Sequence, residues 1–485
     1  MTKYTMHASA IFCVLSIVFS FSGASHAATD NSTEKRSLDE AAYGNYRIDD
    51  NHLVGIDRFT TDNGENAILI SDYSSGVVRR LFPGSGTEFV MGPGFNSASP
   101  VELTVRFVKD EQGNVSGISL QRSNAAPSFA KRVPLKREEV VFQSAAAKLS
   151  GTLIVPATEG PHPAIILLHG SGPLTRYSFG PYPHFFTSLG LAVLIYDKRG
   201  SGESTGTLLD ASTGALKSLP QRYHYPDGLT EDALAAFRFL QGRKEIDPEQ
   251  IGFWGSSEGG MVATQVAARS KDVAFAIDSS GFMGPLWQTL QYQTGALARE
   301  RGVPEAQIEE ALAFSALWMR VARTGEDYEM FLAAREKARR ENKAWLLNWR
   351  SGEYSTLEQM RWDWDRTLSF SPLPELKDVT CPVLGIWGER DPLTDAPEAA
   401  RSMETALTEA GNKDFMTRII PNGSHSLMEM PGRTRMAPGV FDTLRTWLLK
   451  RVEFAGAATQ KGPEAEDRSV LDRTRFVWEG AATKR

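Results

Sequence analysis

One short segment, residues 251–261, has the residue types and spacing of a serine nucleophile. An apolar, strand-like run leads into Gly255-x-Ser257-x-Gly259, and a helix-forming stretch follows. A serine on so sharp a strand-to-helix turn is held in a strained backbone and needs small neighbours, which Gly255 and Gly259 provide. The following helix adds backbone N–H donors and a positive potential. We therefore predict that Ser257 is a nucleophile, since Ser256 occupies the variable position of the motif.

The base that this serine needs is found by chain order. A serine hydroxyl reacts only when a base takes its proton, so a histidine is required. In strand–turn–helix sites of this kind, the acid and then the histidine follow the serine in the chain. Of the eight histidines, at positions 7, 26, 52, 162, 169, 184, 224 and 425, His425 alone lies beyond Ser257. We expect His425 to be the base, and a surface-loop histidine is the alternative interpretation.

The third member of a triad orients and stabilises the imidazolium, so it must be acidic. An acidic cluster follows the apolar run 383–387. Asp391 is the predicted acid, and Glu389 and Asp395 are the alternatives. The acidic residues of this cluster that are not part of the triad would form surface ion pairs.

An oxyanion formed at the serine needs two backbone N–H donors. One is predicted from Glu258, the residue after the nucleophile. The other is predicted from Ser171, with Gly172 as the alternative, in the loop that follows the apolar run 164–168. His169 in the same loop is expected to hold the loop in shape rather than to act as a base.

Taken in chain order, these segments resemble the α/β-hydrolase family. His-Gly-Ser-Gly-Pro at 169–173 is similar to its oxyanion loop, and Asp-Lys-Arg-Gly-Ser-Gly-Glu-Ser at 197–204 is similar to its loop after the next strand. Gly-x-Ser-x-Gly-Gly at 255–260, the acid after Trp387-Gly388, and Gly423-Ser424-His425 complete the set. Within the family, the chain is most similar to secreted bacterial carboxylesterases related to the dienelactone-hydrolase and acyl-peptidase branches. The resemblance implies two-step acyl transfer through Ser257, His425 and Asp391.

Composition and missing motifs exclude several other classes. The 53 Lys and Arg against 59 Asp and Glu give a net charge of −6, which offers no general surface for nucleic acid. Two cysteines exclude a disulfide framework and a cysteine-rich zinc site. Neither the Gly-x-Gly-x-x-Gly dinucleotide spacing nor a Walker loop occurs, and Ser257 stands where dehalogenases and epoxide hydrolases carry an Asp nucleophile. We therefore expect no cofactor and no metal.

The pattern along the chain predicts an α/β fold behind a small all-β domain. Unbroken apolar runs between helical stretches favour a mostly parallel central sheet with helices on both faces, over 135–455. A helical, tryptophan-rich segment at about 284–372 is predicted to be a cap inserted into this α/β-hydrolase domain. Short alternating runs predict an all-β domain over 41–123. Residues 124–134 are expected to be a linker, and 456–485 a polar tail.

The first 27 residues read as a secretory signal peptide. A positive start, the apolar run 10–21 and small residues before Ala28 give the pattern, with cleavage expected after Ala27. The run is too short to span about 30 Å of hydrocarbon, so no membrane span is expected in the mature chain. Residues 28–40 are expected to be a flexible lead-in. The pattern predicts a secreted or periplasmic protein.

These observations favour a serine carboxylesterase that acts on small to medium acyl esters, with a small-molecule ester as its partner and no nucleic acid. A serine peptidase or amidase would use the same residues, and so would a thioesterase or acyltransferase. A protein of another class also fits: a non-catalytic binding protein that acts through its β domain. The sequence makes no prediction of oligomeric state.

Overall fold

The computed structural model of the protein describes residues 38–61, 64–123, 125–207, 226–343, 345 and 356–454. The expected signal peptide at 1–27, most of the expected lead-in at 28–40 and the expected tail at 456–485 lie outside these residues. Across the described ranges, no helix combines the length and apolar character that crossing a bilayer requires.

The N-terminal part of the described chain is a closed antiparallel β-barrel. Its strands are β1 (Gly44–Asp49), β2 (His52–Thr60), β3 (Asn66–Asp72), β4 (Val78–Pro83), β5 (Glu88–Met91), β6 (Leu103–Lys109), β7 (Val115–Arg122) and β8 (Ser128–Arg132). Each strand pairs with the next along the chain, and β8 pairs with β1 to close the barrel. The expectation of a small all-β domain is confirmed.

The position of β8 corrects the expected linker at 124–134. Arg132 of β8 lies opposite Tyr46 of β1, and Ser128 lies opposite Leu120 of β7. Only Ala130 of β8 is buried, and Phe129 is exposed. The local pattern is therefore too polar to predict a strand, and pairing with a strand far away in the chain decides its structure.

The rest of the described chain is built on a single mixed sheet. Its strands are β9 (Leu135–Ser144), β10 (Ala147–Pro156), β11 (His162–Leu168), β12 (Ala192–Tyr196), β13 (Ile246–Ser256), β14 (Ala276–Ser279), β15 (Val383–Gly388) and β16 (Phe415–Ile420). Their order across the sheet is β16-β15-β14-β13-β11-β12-β10-β9. The hairpin β9–β10 is antiparallel, β10 is antiparallel to β12, and the remaining pairs are parallel.

Helices cover both faces of this sheet, which confirms the prediction from the unbroken apolar runs. The helices are α1 (Tyr182–Ser188), α2 (Asp227–Gln241), α3 (Glu258–Arg269), α4 (Leu286–Glu300), α5 (Glu305–Thr324), α6 (Tyr328–Arg340), α7 (Leu357–Asp363), α8 (Leu373–Leu376), α9 (Ala396–Glu409) and α10 (Val440–Leu448). One face packs against α2, α3 and α9. The other face packs against α1 and α10.

Helices α4 to α8 lie in the chain between the parallel neighbours β14 and β15. They have a hydrophobic core of their own, in which Trp318 and Trp345 are buried with Phe314 and Phe331. These two tryptophans therefore stabilise the helical segment itself rather than line a substrate pocket.

One wall of the barrel packs directly against the helices of the sheet. Side chains of a strand alternate between its two faces, so β2 points Val54 into the barrel and Asp57 out of it. The ring of Tyr73, just after β3, packs edge-on against Phe185 and Phe441 of α1 and α10. Gly55 makes room for Tyr73, because a Cβ at residue 55 would lie 2.1 Å from the Tyr73 hydroxyl oxygen.

Hydrogen bonds also join the barrel to the domain built on the sheet. His184 of α1 places its Nδ1 2.6 Å from Oδ1 of Asp57 on β2, and both side chains are buried. At the β3–β4 turn, Val77 forms a β-bridge with Arg435, and the Met436 N–H donates to the Gly76 carbonyl at 2.7 Å. The second contact is near the site described next, since Met436 forms a β-bridge with Met428, three residues after His425.

Candidate active site

Ser257 lies on a tight turn between β13 and α3. It has φ 55° and ψ −119°, a backbone conformation that side chains of L-residues rarely adopt. Gly255 and Gly259 permit the turn, because a Cβ on Gly255 would lie 1.9 Å from the Gly259 carbonyl oxygen, and one on Gly259 would lie 2.3 Å from that of Leu168. This is the strained strand–turn–helix geometry that the sequence predicts.

The turn is anchored to the neighbouring strand and leaves Ser257 accessible. The Ser257 N–H donates to the Ser279 carbonyl at 2.7 Å, and Ser257 is partly exposed. Ser256 differs, because it is the last residue of β13 and is paired in register with Ser279. Ser257 thus projects from a turn, whereas Ser256 belongs to the sheet.

His425 and Asp391 meet although they come from different loops. Asp391 follows β15 and His425 follows β16, and these adjacent strands are parallel, so their C-terminal ends lie side by side. His425 Nδ1 lies 2.7 Å from Asp391 Oδ2, and both side chains are buried. The other carboxylate oxygen of Asp391 accepts the N–H groups of Leu393 and Thr394 at 2.7 and 3.0 Å. A carboxylate held in this way fixes the orientation of the imidazole.

The two alternative acids are engaged elsewhere. Glu389 is exposed, and its Oε2 accepts the N–H of Asn422 at 2.9 Å. Asp395 is the N-cap of α9, where its Oδ1 accepts the N–H of Glu398 at 3.2 Å. Glu389 therefore stabilises a loop and Asp395 caps a helix. Asp391, and neither of these two residues, is the acid that contacts His425.

The loop with the predicted oxyanion donors Ser171 and Gly172 follows β11 and approaches the serine turn. A Cβ on Gly170 would lie 3.4 Å from the Cβ of Ser257. Ser171 is buried, and Gly172 has φ 104°. Glu258, the other predicted donor, is the first residue of α3. The structure therefore brings the predicted oxyanion loop and the serine turn together.

His169 holds this loop in shape. Its Nε2 lies 3.0 Å from the Thr175 carbonyl oxygen, and its ring packs against Phe179. Burial, together with the nearby Lys198 ammonium, lowers the pKa of His169 to about 3. The imidazole is therefore neutral at physiological pH and donates its hydrogen bond from Nε2.

Lys198 was not singled out by the sequence analysis, although it lies in the segment 197–204. It follows β12, and its Nζ donates to the Gly170 carbonyl at 2.9 Å and to Glu258 Oε2 at 2.6 Å. Both charged side chains are almost completely buried. This ion pair ties the loop with Ser171 to the first residue of α3, so it sets the distance between the two predicted oxyanion donors. The available signal in the sequence was a lysine two residues after the apolar run 192–196.

A small cavity of about 40 Å³ adjoins the serine turn. Residues beside the predicted site line it, namely His169, Gly170, Ser256 and Ser426. Most of its other lining is apolar: Phe59 of β2, Tyr182 of α1, Trp254 of β13, and the loop residues Phe179, Met428 and Met436. The barrel thus contributes directly to a cavity beside the candidate nucleophile.

Among the described residues, no group of three or more His, Cys, Asp or Glu side chains is arranged to hold a metal ion. The arrangement that is present is a serine on a strained turn, a buried His–Asp pair and a nearby loop with the predicted backbone donors, and such an arrangement can support acyl transfer.

Comparison with known protein families assigns the chain to one of them. A family model described as "Alpha/beta hydrolase family" matches residues 165–437, which is more than half of the chain and runs from β11 past His425. The chain belongs to the α/β-hydrolase family. The matched region of this hydrolase contains Ser257, Asp391 and His425, but it does not include the barrel.

Individual relatives match shorter stretches. The hydrolase is 31% identical over 153 residues to the quorum-quenching protein AidA of Acinetobacter baumannii, over 31% of this chain and 45% of AidA. It is 26% identical over 181 residues to the esterase EstD of Thermotoga maritima, over 35% of this chain and 39% of EstD. It is 32% identical over 130 residues to the thiohydrolase aneE of Aspergillus aculeatus, over 27% of this chain and 36% of aneE. The matches span less than half the length of each of these relatives.

Among solved structures, the hydrolase is similar to an esterase of Pyrococcus furiosus. The two are 16% identical, and the match covers 66% of this chain and 92% of the esterase with a TM-score of 0.40. This likeness concerns the fold alone.

Proposed function

We propose that the protein is a serine carboxylesterase that hydrolyses small to medium acyl esters through a covalent acyl-enzyme. The observation that carries this proposal is the buried hydrogen bond between His425 and Asp391, on loops beside the strained turn that bears Ser257. Membership of the α/β-hydrolase family and the relationship to an esterase support it.

In the proposed mechanism, His425 takes the proton of Ser257 as the serine oxygen attacks the ester carbonyl carbon. The backbone N–H groups of Glu258 and Ser171 bind the resulting oxyanion. The bond to the alcohol breaks, and the alcohol leaves with the proton from His425. A water molecule, deprotonated by His425, then attacks the acyl carbon, and Ser257 recovers its proton as the acid leaves. Asp391 holds the imidazole and stabilises its charged form throughout.

The cavity beside the serine turn supports a preference for short acyl groups. It is mostly apolar and has a volume of about 40 Å³, which suits the methyl or ethyl end of a short acid rather than a long chain. We propose that the acyl group enters this cavity, so that acetate and propionate esters are better substrates than palmitate esters.

We propose that α4 to α8 form the cap of the site. The contacts of α4 support this role: the Tyr292 hydroxyl donates to the Asp391 carbonyl at 2.9 Å, and Gln293 Nε2 donates to the Leu393 carbonyl at 2.8 Å. Because α4 is hydrogen-bonded to the loop that carries Asp391, it is well placed to enclose the substrate on that side.

We also propose export of the protein, with cleavage of the signal peptide after Ala27. The sequence pattern of residues 1–27 is the support for this step. N-terminal sequencing of the protein recovered from a periplasmic or culture fraction tests it. A chain that begins at Ala28 is expected, and a chain in those fractions that retains residues 1–27 would contradict the cleavage.

The first experiment measures hydrolysis of p-nitrophenyl esters from acetate to palmitate. Wild type is compared with Ser257→Ala and with the matched control Ser256→Ala, which removes the neighbouring hydroxyl from the end of β13. We expect kcat to fall by about 10⁴- to 10⁶-fold in Ser257→Ala and by less than about tenfold in Ser256→Ala. Equal turnover in wild type and Ser257→Ala would refute the assignment of the nucleophile.

Parallel assays separate the alternatives that use the same residues. A p-nitroanilide of the same acyl group tests a peptidase or amidase. An acyl thioester, with and without an alcohol acceptor, tests the thioesterase and acyltransferase alternative, which the relationship to a thiohydrolase makes worth measuring. We expect the oxygen ester to have the highest kcat/KM. A thioester hydrolysed at least tenfold better would replace the esterase proposal.

A further inference from the structure

The interior of the barrel holds a cavity at one end. Inward side chains fill the other end: Tyr46, Ile56 and Val105 are fully buried in the barrel core. Near the β1–β2 and β3–β4 turns this packing stops, and a cavity of about 240 Å³ remains. Barrels of eight strands are just wide enough to be filled by side chains or to hold one small ligand. This barrel has one filled half and one half with room for a ligand.

The inner wall of the cavity is apolar. It includes one side chain from each of five strands, namely Val54, Ile70, Met91, Leu103 and Leu120. Water molecules beside such a wall lack hydrogen-bond partners, and cavities lined in this way stay dry and bind apolar molecules of matching size. An apolar molecule is therefore a better occupant of the inner part than water.

The volume of the cavity sets the size of the occupant. An apolar cavity of about 150 Å³ is large enough to bind benzene. By the same measure, about 240 Å³ accommodates a molecule of about eight to ten non-hydrogen atoms. This is the size of an alkylbenzene with a short side chain.

The mouth of the cavity carries charges of both signs. Asp49 and Asp72 line it together with His52 and Arg122. His52 Nε2 lies 3.2 Å from Asp72 Oδ1, and this contact raises the pKa of His52. An ion of either sign that approaches the cavity therefore meets a like charge as well as an opposite one. An ion would also lose its hydration inside the apolar wall, which costs far more than the same transfer of a neutral molecule.

We propose that the barrel binds one small, neutral, apolar molecule of about the size of ethylbenzene in this cavity. Strand β2 separates the site from the candidate active site, because Val54 lines the barrel cavity and Phe59 lines the cavity beside the serine turn. Binding in the barrel does not depend on the esterase activity.

Methionine methyl groups report which of the two cavities a ligand enters. Met91 lines the barrel cavity, whereas Met428 and Met436 line the cavity beside the serine turn. The test follows the methyl signals of carbon-13-labelled methionine by NMR while the full-length protein is titrated with ethylbenzene. The variants Met91→Leu, Met428→Leu and Met436→Leu assign the signals. We expect a saturable shift of the Met91 signal with a Kd below about 1 mM.

Ligands of similar size and different charge test whether the site selects neutral molecules. Benzyl alcohol is the neutral polar analogue of ethylbenzene, benzylamine is a cation at neutral pH, and benzoate is an anion. We expect benzyl alcohol to shift the Met91 signal as ethylbenzene does. Benzylamine and benzoate are expected to bind at least tenfold more weakly than ethylbenzene.

A cavity-filling substitution gives a second, independent measurement. Leu120→Trp fills the cavity from β7, and Ile118→Trp, two residues earlier on the same inward face, adds a similar volume to the filled half. We expect Leu120→Trp to weaken ethylbenzene at least tenfold with little change in Tm, and Ile118→Trp to lower Tm strongly. If both variants lower Tm strongly, the titration of the wild-type protein decides alone, since it needs no added volume in the barrel.

Three results would overturn the proposal. One is the absence of any shift of the Met91 signal up to the solubility limit of ethylbenzene. Another is a shift of the Met428 or Met436 signal without one of Met91, which would place the ligand beside the serine turn. The third is binding of benzoate or benzylamine as tight as that of ethylbenzene, which would mean that the charges at the mouth select an ion.

Discussion

Two buried His–Asp pairs among the described residues have almost the same geometry and lie in different regions of the fold. His425 and Asp391 meet at 2.7 Å on the loops after β16 and β15, and His184 and Asp57 meet at 2.6 Å between α1 and the barrel. In both pairs Nδ1 of the imidazole contacts the carboxylate, and in both pairs the side chains are buried. The pair itself therefore does not distinguish a catalytic site from a structural contact.

The two pairs differ in what surrounds the histidine away from its carboxylate partner. Nε2 of His184 lies 3.4 Å from a guanidinium nitrogen of Arg137, and Asn45 donates to the backbone carbonyl of the same histidine at 2.8 Å. His425 instead lies in a loop whose next residue, Ser426, lines the same cavity as Ser256 and Gly170. One pair is closed by its neighbours and joins two parts of the fold, and the other borders a cavity next to a strained serine.

The largest expected effect comes from matched Asp→Asn substitutions in the two pairs. Asp391→Asn removes the charge that stabilises the imidazolium, so we expect kcat for ester hydrolysis to fall by about 10⁴-fold with little change in Tm. Asp57→Asn breaks a buried contact between the barrel and α1, so we expect a lower Tm and kcat within about threefold of wild type.

The measurement is kcat together with thermal unfolding for both variants. A similar loss of kcat in both would mean that the barrel contact is part of the catalytic apparatus. A Tm loss in Asp391→Asn that accounts for its inactivity would remove the distinction between the pairs.

The next effect concerns the Lys198–Glu258 ion pair. Replacing both partners, as Lys198→Met with Glu258→Gln, avoids leaving one buried charge alone. Without the tie to Gly170, the loop with Ser171 is less well placed, so we expect kcat to fall about 10- to 100-fold with KM nearly unchanged. Lys198→Arg, which keeps the charge, serves as the control and should recover part of the loss. A change confined to KM would assign the pair to substrate binding instead.

The sequence predicted the sheet better than the barrel, for a physical reason. Apolar runs covered on both faces, and a nucleophile turn such as that at Ser257, are local patterns that a single segment displays. Closure of the barrel by β8 and the contact between Asp57 and His184 depend on residues far apart in the chain. The roles of Ser257, Asp391 and His425 stay predictions, although the structure does place the last two in contact.

A third expected effect is a pH dependence of stability that originates beside the site. Burial raises the pKa of Asp278, near the end of strand β14, to about 8, against about 3.9 in an unfolded chain. Between about pH 4 and 8 the folded protein therefore holds one more proton than the unfolded chain. The free energy of unfolding falls as pH rises through this window, by up to about 1.4 kcal/mol per pH unit from this group.

Urea unfolding at several pH values between 5 and 8 measures this effect. We expect Asp278→Asn, which carries no ionisable group, to have a flatter dependence than wild type over the same range. Identical slopes for the two proteins would show that Asp278 is already ionised in the folded state.

The smallest expected effect tests whether the outer face of the barrel shapes the active site. Phe59 of β2 lines the cavity beside the serine turn. Phe59→Leu enlarges that cavity, so the ratio of kcat/KM for p-nitrophenyl hexanoate to that for the acetate is expected to rise about three- to tenfold. Phe89→Leu makes the same change inside the barrel, where Phe89 packs in the core away from the cavity. Because both variants lose similar packing, a rise in Phe59→Leu alone would assign the barrel a part in substrate selection, and equal ratios would leave that selection to the sheet and its helices.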